Sequence, residues 1–423
     1  MDYLENSFPV PSDYFGVLWA LAGIKDAKVV EHGSTGTVSY NTVNFGILNR
    51  LKPKGKLFSS GLDEDDVVMG REEKLISAIK EVDRTYHPEL LAVVATGVTS
   101  VIGLDINGIV DEYRDEIEAK LIAFPGGGFR GSYRYGIEQV FLSLAEEVVK
   151  ESGIKDKKLV NILGVTVDTF NHVSDLEEIA RLLGLLGLKI NTVFTRNTEV
   201  KSIQKMSEAG LNLVLYDTGI ETAEFLEKRF GTPWLYGLPI GIESTVKWLE
   251  TVAEMAGTRI DRSKIAGDMK RYAQAMGAFT SFMKPFNKLR VGVSGSNEYV
   301  KGLSYFLMKE CGMDVRLAVI RDAVSAEKDV RELRLTGIGE ILIDPEIDVL
   351  KNSIRKHNPH IFYGNTYELK MAGNVPIKIH AAFPSFDYVN FHDGTPFPGF
   401  KGSGYIVQTL VNSVNQHPEV WRL

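Results

Sequence analysis

The sequence predicts an α/β protein of three Rossmann-like, doubly wound domains with mainly parallel sheets, and three observations support this. The 423-residue chain has the length of about three domains at roughly 150 residues each. Short apolar runs alternate with amphipathic helical patterns, which is typical of βαβ units. Polar breaks at 151–158 and 283–288 divide these units into three series. The predicted domains are residues 1–155, 156–285 and 286–423.

Each predicted strand is a short apolar run that ends in small or polar residues. The runs cover residues 90–98, 158–165, 190–195, 211–217, 288–296, 314–320, 339–344, 360–365 and 377–383. The helix after the second run is predicted to have Ser174 as its N-cap, with Glu177 completing a capping box. Ligands of parallel sheets bind beyond the carboxyl ends of the strands, so the loops after these runs are candidate site positions.

Polar side chains follow several of these strands. Asp168 and His172 follow the second strand, where they either face a cavity between domains or lie in a solvated loop. Segment 294–298, SGSNE, is either a tight turn or a helix start whose N–H groups bind an anion. Asn365 and Glu368 either cap a turn or face the same cavity.

Residues 31–41, EHGSTGTVSYN, combine a histidine, two glycines and several hydroxyl side chains. This composition predicts a loop that holds a ligand rather than a packed helix. Gly33 and Gly36 would let the backbone approach another group closely. His32 either orders the loop through hydrogen bonds, which we favour, or binds a ligand.

Composition excludes several classes of protein. The net charge of −7 and the lack of a basic run argue against nucleic-acid binding. We find no signal peptide and no apolar run near the ~20 residues that span a bilayer, so we expect a cytoplasmic protein. The one cysteine, Cys311, excludes disulfides within the chain and any metal site built from cysteine alone. It is predicted to pack at the end of an amphipathic helix.

Ordered stretches along nearly the whole chain resemble the nitrogenase component 1 superfamily, which includes nitrogenase molybdenum–iron protein and protochlorophyllide reductase subunits. Among these stretches are SDYFGVLWALAGI (12–24), EHGSTGTVSYN (31–41), HPELLAVVATGVTSVIGLDI (87–106), FPGGGFRGSYRYG (124–136), GTPWLYGLPIGIESTVKWL (231–249) and RVGVSGSNEYVKGLSYFLMKECGMDV (290–315). The resemblance implies three Rossmann-like domains per subunit and a pair of related subunits, usually doubled to a tetramer. It also implies that an ATP-dependent iron–sulfur reductase docks on the assembly.

In that superfamily, cysteines bind a cluster at the interface of the paired subunits. The resemblance places three cysteine positions at Ser12, Thr37 and Gly97, and none of them is cysteine here. Thiolates suit iron because they are soft and readily deprotonated. A threonine or serine hydroxyl is at most a weak oxygen ligand, and glycine has no side chain. This chain is therefore not expected to hold an iron–sulfur cluster alone.

Three interpretations of the lost cysteines remain. We favour a cysteine-bearing α-type paralogous subunit that holds the cluster while this chain closes over it. Alternatively, the cluster is gone and the loop only packs, or another ligand has replaced the cysteines, with His32, Ser12 or Glu31 as candidates. We expect a heterotetramer, with a homodimer as the second possibility.

The resemblance implies a β-type subunit without a substrate cofactor, because the middle domain contains no cysteine. The implied function is that of a nitrogenase-like oxidoreductase subunit that receives electrons from an ATP-dependent iron–sulfur reductase; ATP acts only through that partner. The alternatives are a non-catalytic scaffold in metallocofactor assembly and a redox-inactive binding homologue.

Four residues are candidate catalytic groups: Asp168, His172, His392 and Asp393. The last two lie near the position of late functional histidines in the superfamily, where they either serve a loop or interface or act as a proton donor pair. The segment around Arg134 is either part of a subunit interface or an exposed helix start.

Overall fold

The structure, a computed structural model, describes residues 10–48, 55–282, 289–321, 326–388 and 394–422. It contains three parallel sheets that alternate with helices along the chain, and this confirms the predicted fold class. Apolar runs form these strands because parallel sheets are covered on both faces. Among the described residues, no helix is both long and apolar enough to cross a membrane.

The first sheet has four strands in the order β2-β1-β3-β4. The strands are β1 (Ala27–His32), β2 (Leu57–Ser59), β3 (Leu90–Ala95) and β4 (Lys120–Phe124). The helices around them are α1 (Asp13–Ala22), α2 (Thr35–Leu48), α3 (Glu64–Met69), α4 (Glu73–Tyr86), α5 (Gly97–Val101), α6 (Ile106–Tyr113) and α7 (Tyr133–Glu147). Every residue of β3 is buried, so this strand lies at the centre of the first core.

The second sheet has the order β6-β5-β7-β8. Its strands are β5 (Asp156–Leu163), β6 (Lys189–Phe194), β7 (Ala209–Val214) and β8 (Trp234–Tyr236). Its helices are α8 (His172–Leu185), α9 (Val200–Gln204), α10 (Ile220–Phe230), α11 (Ile242–Ala256) and α12 (Arg262–Phe282).

The third sheet has the order β11-β10-β9-β12-β13. Its strands are β9 (Arg290–Gly295), β10 (Asp314–Ile320), β11 (Glu340–Ile343), β12 (Ile361–Gly364) and β13 (Ile377–His380). The following helices are α13 (Asn297–Tyr305), which continues into a π-helical turn (Phe306–Glu310), α14 (Ala326–Leu335), α15 (Ile347–His357), α16 (Thr366–Met371) and α17 (Gly399–Gln416).

The last helix connects two of the predicted domains. Helix α17 packs against α8, α11 and α12, which belong to the second sheet. One hydrophobic core therefore contains residues of both the second and the third sheets. The domain boundaries drawn from sequence remain a prediction, since the end of the chain crosses from one predicted domain to another.

The sequence prediction is wrong at two helix starts. Segment 31–41 is not a loop, because it contains the end of β1 and the first turns of α2. Weak helix formers such as Gly36 make this helix difficult to predict from the sequence. The helix is stabilised instead by its buried residues Val38 and Phe45, which pack inward. Helix α8 has Asn171 rather than Ser174 as its N-cap.

Cys311 has the packing role that the sequence predicts. It follows the π-helical turn and packs against the core shared by the second and third sheets. Burial raises the pKa of its thiol to about 12, so the thiolate that metals and oxidants need is disfavoured.

Candidate functional site

The strand order of each sheet reverses between two central strands. These pairs are β1 and β3, β5 and β7, and β9 and β12. Loops diverge beyond the carboxyl ends of such a pair and leave a crevice, which is the usual ligand site of doubly wound sheets. Two regions follow from this topology: a surface of the first domain and a junction of all three sheets.

The three positions that the resemblance aligns with cysteines lie at helix starts around the first sheet. Ser12 directly precedes α1, Thr37 lies in the first turn of α2, and Gly97 begins α5 after β3. All three are partly exposed. Thr37 Oγ1 is 3.2 Å from Ser34 Oγ, so its hydroxyl already has a local partner.

The loop between β4 and α7 joins two of these positions. A Cβ on Gly97 would lie 3.8 Å from the ring of Phe129, and a Cβ on Gly128 would lie 3.2 Å from Ser12 Oγ. The backbone N–H of Arg130 donates to Asp13 Oδ1 at 3.1 Å, which fastens the loop to the start of α1. We name this region, consisting of Ser12, Thr37, Gly97 and the loop 125–131, the cysteine-position surface.

The aromatic side chain of this loop faces solvent. Phe129 is 68% exposed, although large apolar side chains usually avoid water. The loop reaches this shape through Gly127, whose φ of 62° favours glycine and whose Cβ would lie 1.9 Å from Ser100 Oγ. The sequence identified the motif at 124–136, but only the tertiary structure shows that Phe129 is exposed.

The side chains of His32 and Glu31 lie inside the first domain, away from the surface. His32 is buried, and its Nδ1 is 2.8 Å from Ser60 Oγ, which also accepts a hydrogen bond from the N–H of Gly33. Burial lowers the pKa of His32 to about 4, so the ring is neutral at pH 7. Glu31 Oε2 accepts hydrogen bonds from Tyr14 and Asn41. Both side chains are therefore placed to order the fold rather than to replace a cysteine.

The two glycines of segment 31–41 differ in their surroundings. A Cβ on Gly33 would lie 2.4 Å from Thr96 Cγ2, so glycine is needed where the ends of β1 and β3 meet. Gly36 is exposed, and its Cβ would approach only Ser34 Oγ, at 3.8 Å. The close approach predicted from sequence is thus made by Gly33 to its own chain.

The second region is a narrow cavity of about 60 Å³ at the junction of the three sheets. Its walls include Gly164 and Tyr216 from the second sheet, Ser296 from the third and Arg134 from the first domain. Ser296 is the N-cap of α13, and its side chain makes no capping hydrogen bond. Asp168 and segment 294–298 supply residues that line this cavity, as one sequence alternative expected, whereas Asn365 and Glu368 are not among the lining residues.

Buried charges connect elements of the three sheets beside this cavity. Arg134, in the first turn of α7, forms an ion pair with Asp217 at the end of the second sheet. Both side chains are almost completely buried. Glu298 of α13 accepts hydrogen bonds from the N–H of Asp217 at 2.8 Å and from the hydroxyl of Tyr236 at 2.9 Å. Arg134 itself is therefore buried rather than exposed, whereas Tyr135 beside it is 38% exposed, so the interface role of the segment stays a prediction.

A second buried carboxylate joins α8 to the third sheet. Asp175 accepts hydrogen bonds from the hydroxyl of Tyr299, from the N–H of Phe397 at 3.0 Å and from Asn171 Nδ2 at 2.9 Å. Burial raises the pKa of Asp175 to about 7 despite these donors.

The candidate catalytic residues occupy different environments. Asp168 is buried and lines the junction cavity. His172 donates through Nδ1–H to the carbonyl of Thr169 at 2.8 Å, while its Nε2 accepts from Arg196 at 2.7 Å. Burial lowers the pKa of this histidine to about 4. His172 is thus held as a neutral ring. His392 and Asp393 lie outside the described residues.

Two other strand-end candidates have structural roles. Asn365 and Glu368 form a capping box at the start of α16, as one sequence alternative proposed. Glu368 also accepts hydrogen bonds from Ser294 and from Arg321 Nε, at 2.5 and 2.8 Å. Sequence reasoning did not identify Arg134, Asp217 and Asp175 as a buried set, because their partners lie far away along the chain.

Comparison with known proteins identifies the family. The family described as nitrogenase component 1 type oxidoreductase matches residues 12–415. The chain belongs to this family. The B subunit of the light-independent protochlorophyllide reductase of Nostoc punctiforme is 25% identical over 425 residues, covering 95% of this chain and 81% of that protein. Its counterpart in Heliobacterium modesticaldum is 23% identical over 408 residues, which cover 94% of this chain and 77% of that protein.

Solved nitrogenase structures share the fold of this family member. The structure titled "Nitrogenase Cp1 at pH 6.5" superposes with a TM-score of 0.82 at 20% identity and covers 98% of this chain and 94% of that chain. A second structure, "Nitrogenase Cp1 at pH 5", has a TM-score of 0.75 at 22% identity and covers 99% of this chain and 90% of that chain.

An iron–sulfur cluster does not fit the side chains that this family member has at the cysteine-position surface. Ser12 and Thr37 supply only hydroxyl groups, and Gly97 supplies no donor. Within the described part of the chain, no three His, Cys, Asp or Glu side chains are grouped to hold a metal. Cys311 is packed in the core shared by the other two sheets.

Proposed function

We propose that this chain is the β-type subunit of a nitrogenase-like oxidoreductase and that it pairs with a related, cysteine-bearing α-type subunit. The observation behind the proposal is the cysteine-position surface, which keeps an ordered, exposed shape although its thiolates are gone. The similarity to relatives that are themselves B subunits of a reductase supports membership of a multi-subunit enzyme. Any cluster at this interface then takes its thiolates from the partner.

Exposed apolar side chains support a partner at this surface. Of the fifteen exposed large hydrophobic residues among those described, seven lie on elements that form or adjoin the cysteine-position surface. They are Val10, Tyr40, Val43, Val98, Val101, Phe129 and Tyr135. A concentration of this kind on one domain is typical of an interaction site.

The complete assembly in this proposal is a heterotetramer of two such pairs, on which an ATP-dependent iron–sulfur reductase docks. Asp168 remains our candidate proton donor because it lines the junction cavity. The roles of His172, His392 and Asp393 remain predictions.

Anaerobic co-purification tests the proposal. The tagged chain is isolated with its bound partners, and iron, sulfide and EPR signals are measured. We expect iron and sulfide only in the complex with a cysteine-bearing partner. An iron-free homo-oligomer, with no such partner retained, would contradict the oxidoreductase assignment and favour a redox-inactive homologue. A cluster-containing complex without reductase-dependent turnover would instead favour a scaffold in metallocofactor assembly.

A matched pair of variants locates the partner surface. Phe129→Asp places a charge at the centre of the cysteine-position surface, whereas Val349→Asp places one on the exposed side of α15, with 44% of Val349 exposed. We expect only the first to release the partner during co-purification, because a buried unpaired carboxylate is costly. Equal retention by both would place the partner elsewhere.

A further inference from the structure

A larger cavity, of about 380 Å³, lies between the second and third sheets on another face of α13. The junction cavity contacts α13 at Tyr299, whereas this one contacts it at Glu298, Gly302 and Tyr305. Its opposite wall is formed by the segment after β8 and the start of α11. Small-molecule sites usually measure about 300–1,000 Å³, so the cavity has the size of a small ligand.

Glu298 gives this cavity a buried acceptor. Its side chain lines the cavity, yet the residue is only 4% exposed. Oε1 accepts hydrogen bonds from Asp217 and Tyr236, as described above. Oε2 is buried and makes no hydrogen bond of ordinary geometry with the residues that the structure describes, although Ser296 and Arg134 lie near the carboxylate and lower its pKa. Buried carboxylate oxygens usually have a hydrogen-bond donor, so a donor group placed in this cavity would satisfy Oε2.

Charged and aromatic side chains line the rest of the cavity. Lys247 and Glu243, on the first turns of α11, are exposed and mark its open side. Lys301 forms an ion pair with Glu332 at 3.0 Å across the cavity wall, so these two charges offset each other. Tyr305 adds an aromatic ring, whose face attracts cations. The lining thus offers a carboxylate inside, Glu298, and both an ammonium group, Lys247, and a carboxylate, Glu243, at the opening.

We propose that this cavity binds a small zwitterion that has a guanidinium or ammonium group at one end and a carboxylate at the other. The cationic group donates to Glu298 Oε2, and the carboxylate lies near Lys247. Arginine is the probe with this charge pattern, and citrulline is its neutral-headed counterpart of nearly the same shape. The proposal concerns a site separate from the cysteine-position surface and does not depend on the proposed function.

Burial gives a second reason for a cationic ligand. It raises the pKa of Glu298 above its ordinary value, while nearby Arg134 opposes this rise. Like Arg134, a bound guanidinium would favour the ionised form of the Glu298 carboxylate. Ligand binding and ionisation of Glu298 therefore strengthen each other.

Isothermal titration calorimetry of the purified full chain tests the site with L-arginine, L-citrulline and agmatine, which lacks the carboxylate. We expect saturable binding of arginine about tenfold tighter than that of citrulline, the difference made by a charge-assisted hydrogen bond. Lys247→Ala should weaken arginine binding but leave agmatine binding unchanged. Equal binding of arginine and citrulline, or binding of neither, would overturn the proposal.

Variants of two glutamates provide the control. Glu298→Gln removes the charge inside the cavity, and Glu346→Gln removes an exposed charge at the N-cap of α15 that does not line the cavity. We expect arginine affinity to fall about tenfold in the first only. If Glu298→Gln does not fold, Ser244→Phe tests the site by filling the cavity while Glu298 is retained. Unchanged arginine binding in this variant would refute the assignment.

Discussion

The cysteine-position surface and the junction of the three sheets differ in how their polar groups are satisfied. At the surface, Ser12 and Thr37 are partly exposed and can exchange protein partners for water. At the junction, Arg134, Asp217 and Glu298 are almost completely buried and depend on one another. Residues that reach water can change with little cost to folding, whereas a buried charge that loses its partner stays desolvated. Substitution at Ser12, Thr37 and Gly97, the positions that the resemblance implies for cysteines, is therefore expected to cost the fold little.

The largest effect is expected from removal of Arg134. The Arg134→Leu variant leaves Asp217 buried without its cation, and we expect a loss of about 3–5 kcal/mol in the free energy of unfolding. Guanidinium chloride titration measures this loss. The control is Arg114→Leu, which breaks a largely exposed pair with Asp111 at 2.8 Å and should cost about 1 kcal/mol or less. Similar losses in the two variants would show that the buried junction pair stabilises the fold no more than an exposed pair does.

The next effect is the pH dependence caused by Asp175. Its pKa rises to about 7 in the folded protein from an ordinary value of 3.8. The folded state therefore keeps a proton that the unfolded state has lost, and stability falls as pH rises from about 4 to about 7. The free energy of unfolding is measured between these pH values for the unmodified protein and for the Asp175→Asn variant. The variant should lack the fall in stability that Asp175 causes. A variant with the same slope as the unmodified protein would disprove the role of Asp175.

His172 should contribute a slope of the opposite sign. Its pKa falls to about 4 from an ordinary value of 6.5. The unfolded state therefore gains a proton first, and stability falls as pH decreases from about 6.5 to about 4. Comparison of His172→Gln with the unmodified protein isolates this component from that of His32, whose pKa is also about 4. Identical acid slopes in both proteins would argue against a neutral, held ring.

The smallest effects are expected at the cysteine-position surface. Ser12→Ala and Thr37→Ala should each change the free energy of unfolding by about 0.5 kcal/mol or less, because surface substitutions away from special contacts have small effects. Ser12 makes no capping hydrogen bond that the substitution would remove. Thermal unfolding of the isolated chain measures both. A loss comparable with that of Arg134→Leu would erase the difference between the two regions.

Several features were predictable because they depend on neighbouring residues. All nine apolar runs named from sequence contain strands, since a parallel sheet needs continuous apolar segments. Four strands were not predicted: β1, β2, β4 and β8. Strands β2 and β8 have three residues each, and so short a run has no clear period. Helix α2 was missed for a different reason. Gly36 and the β-branched residues lower its intrinsic propensity, and burial of Phe45 outweighs this.

The sequence alone determined the α/β class, the family resemblance and the absence of thiolates at Ser12, Thr37 and Gly97, because these depend on residue type and local order. Only the tertiary structure decided which polar residues are buried. Arg134 and Asp217 are distant in sequence but meet at the ends of different domains. Their ionic partnership, like the cavity beside Glu298, exists only after the three sheets have packed, because burial and Coulomb attraction act through space and not along the chain.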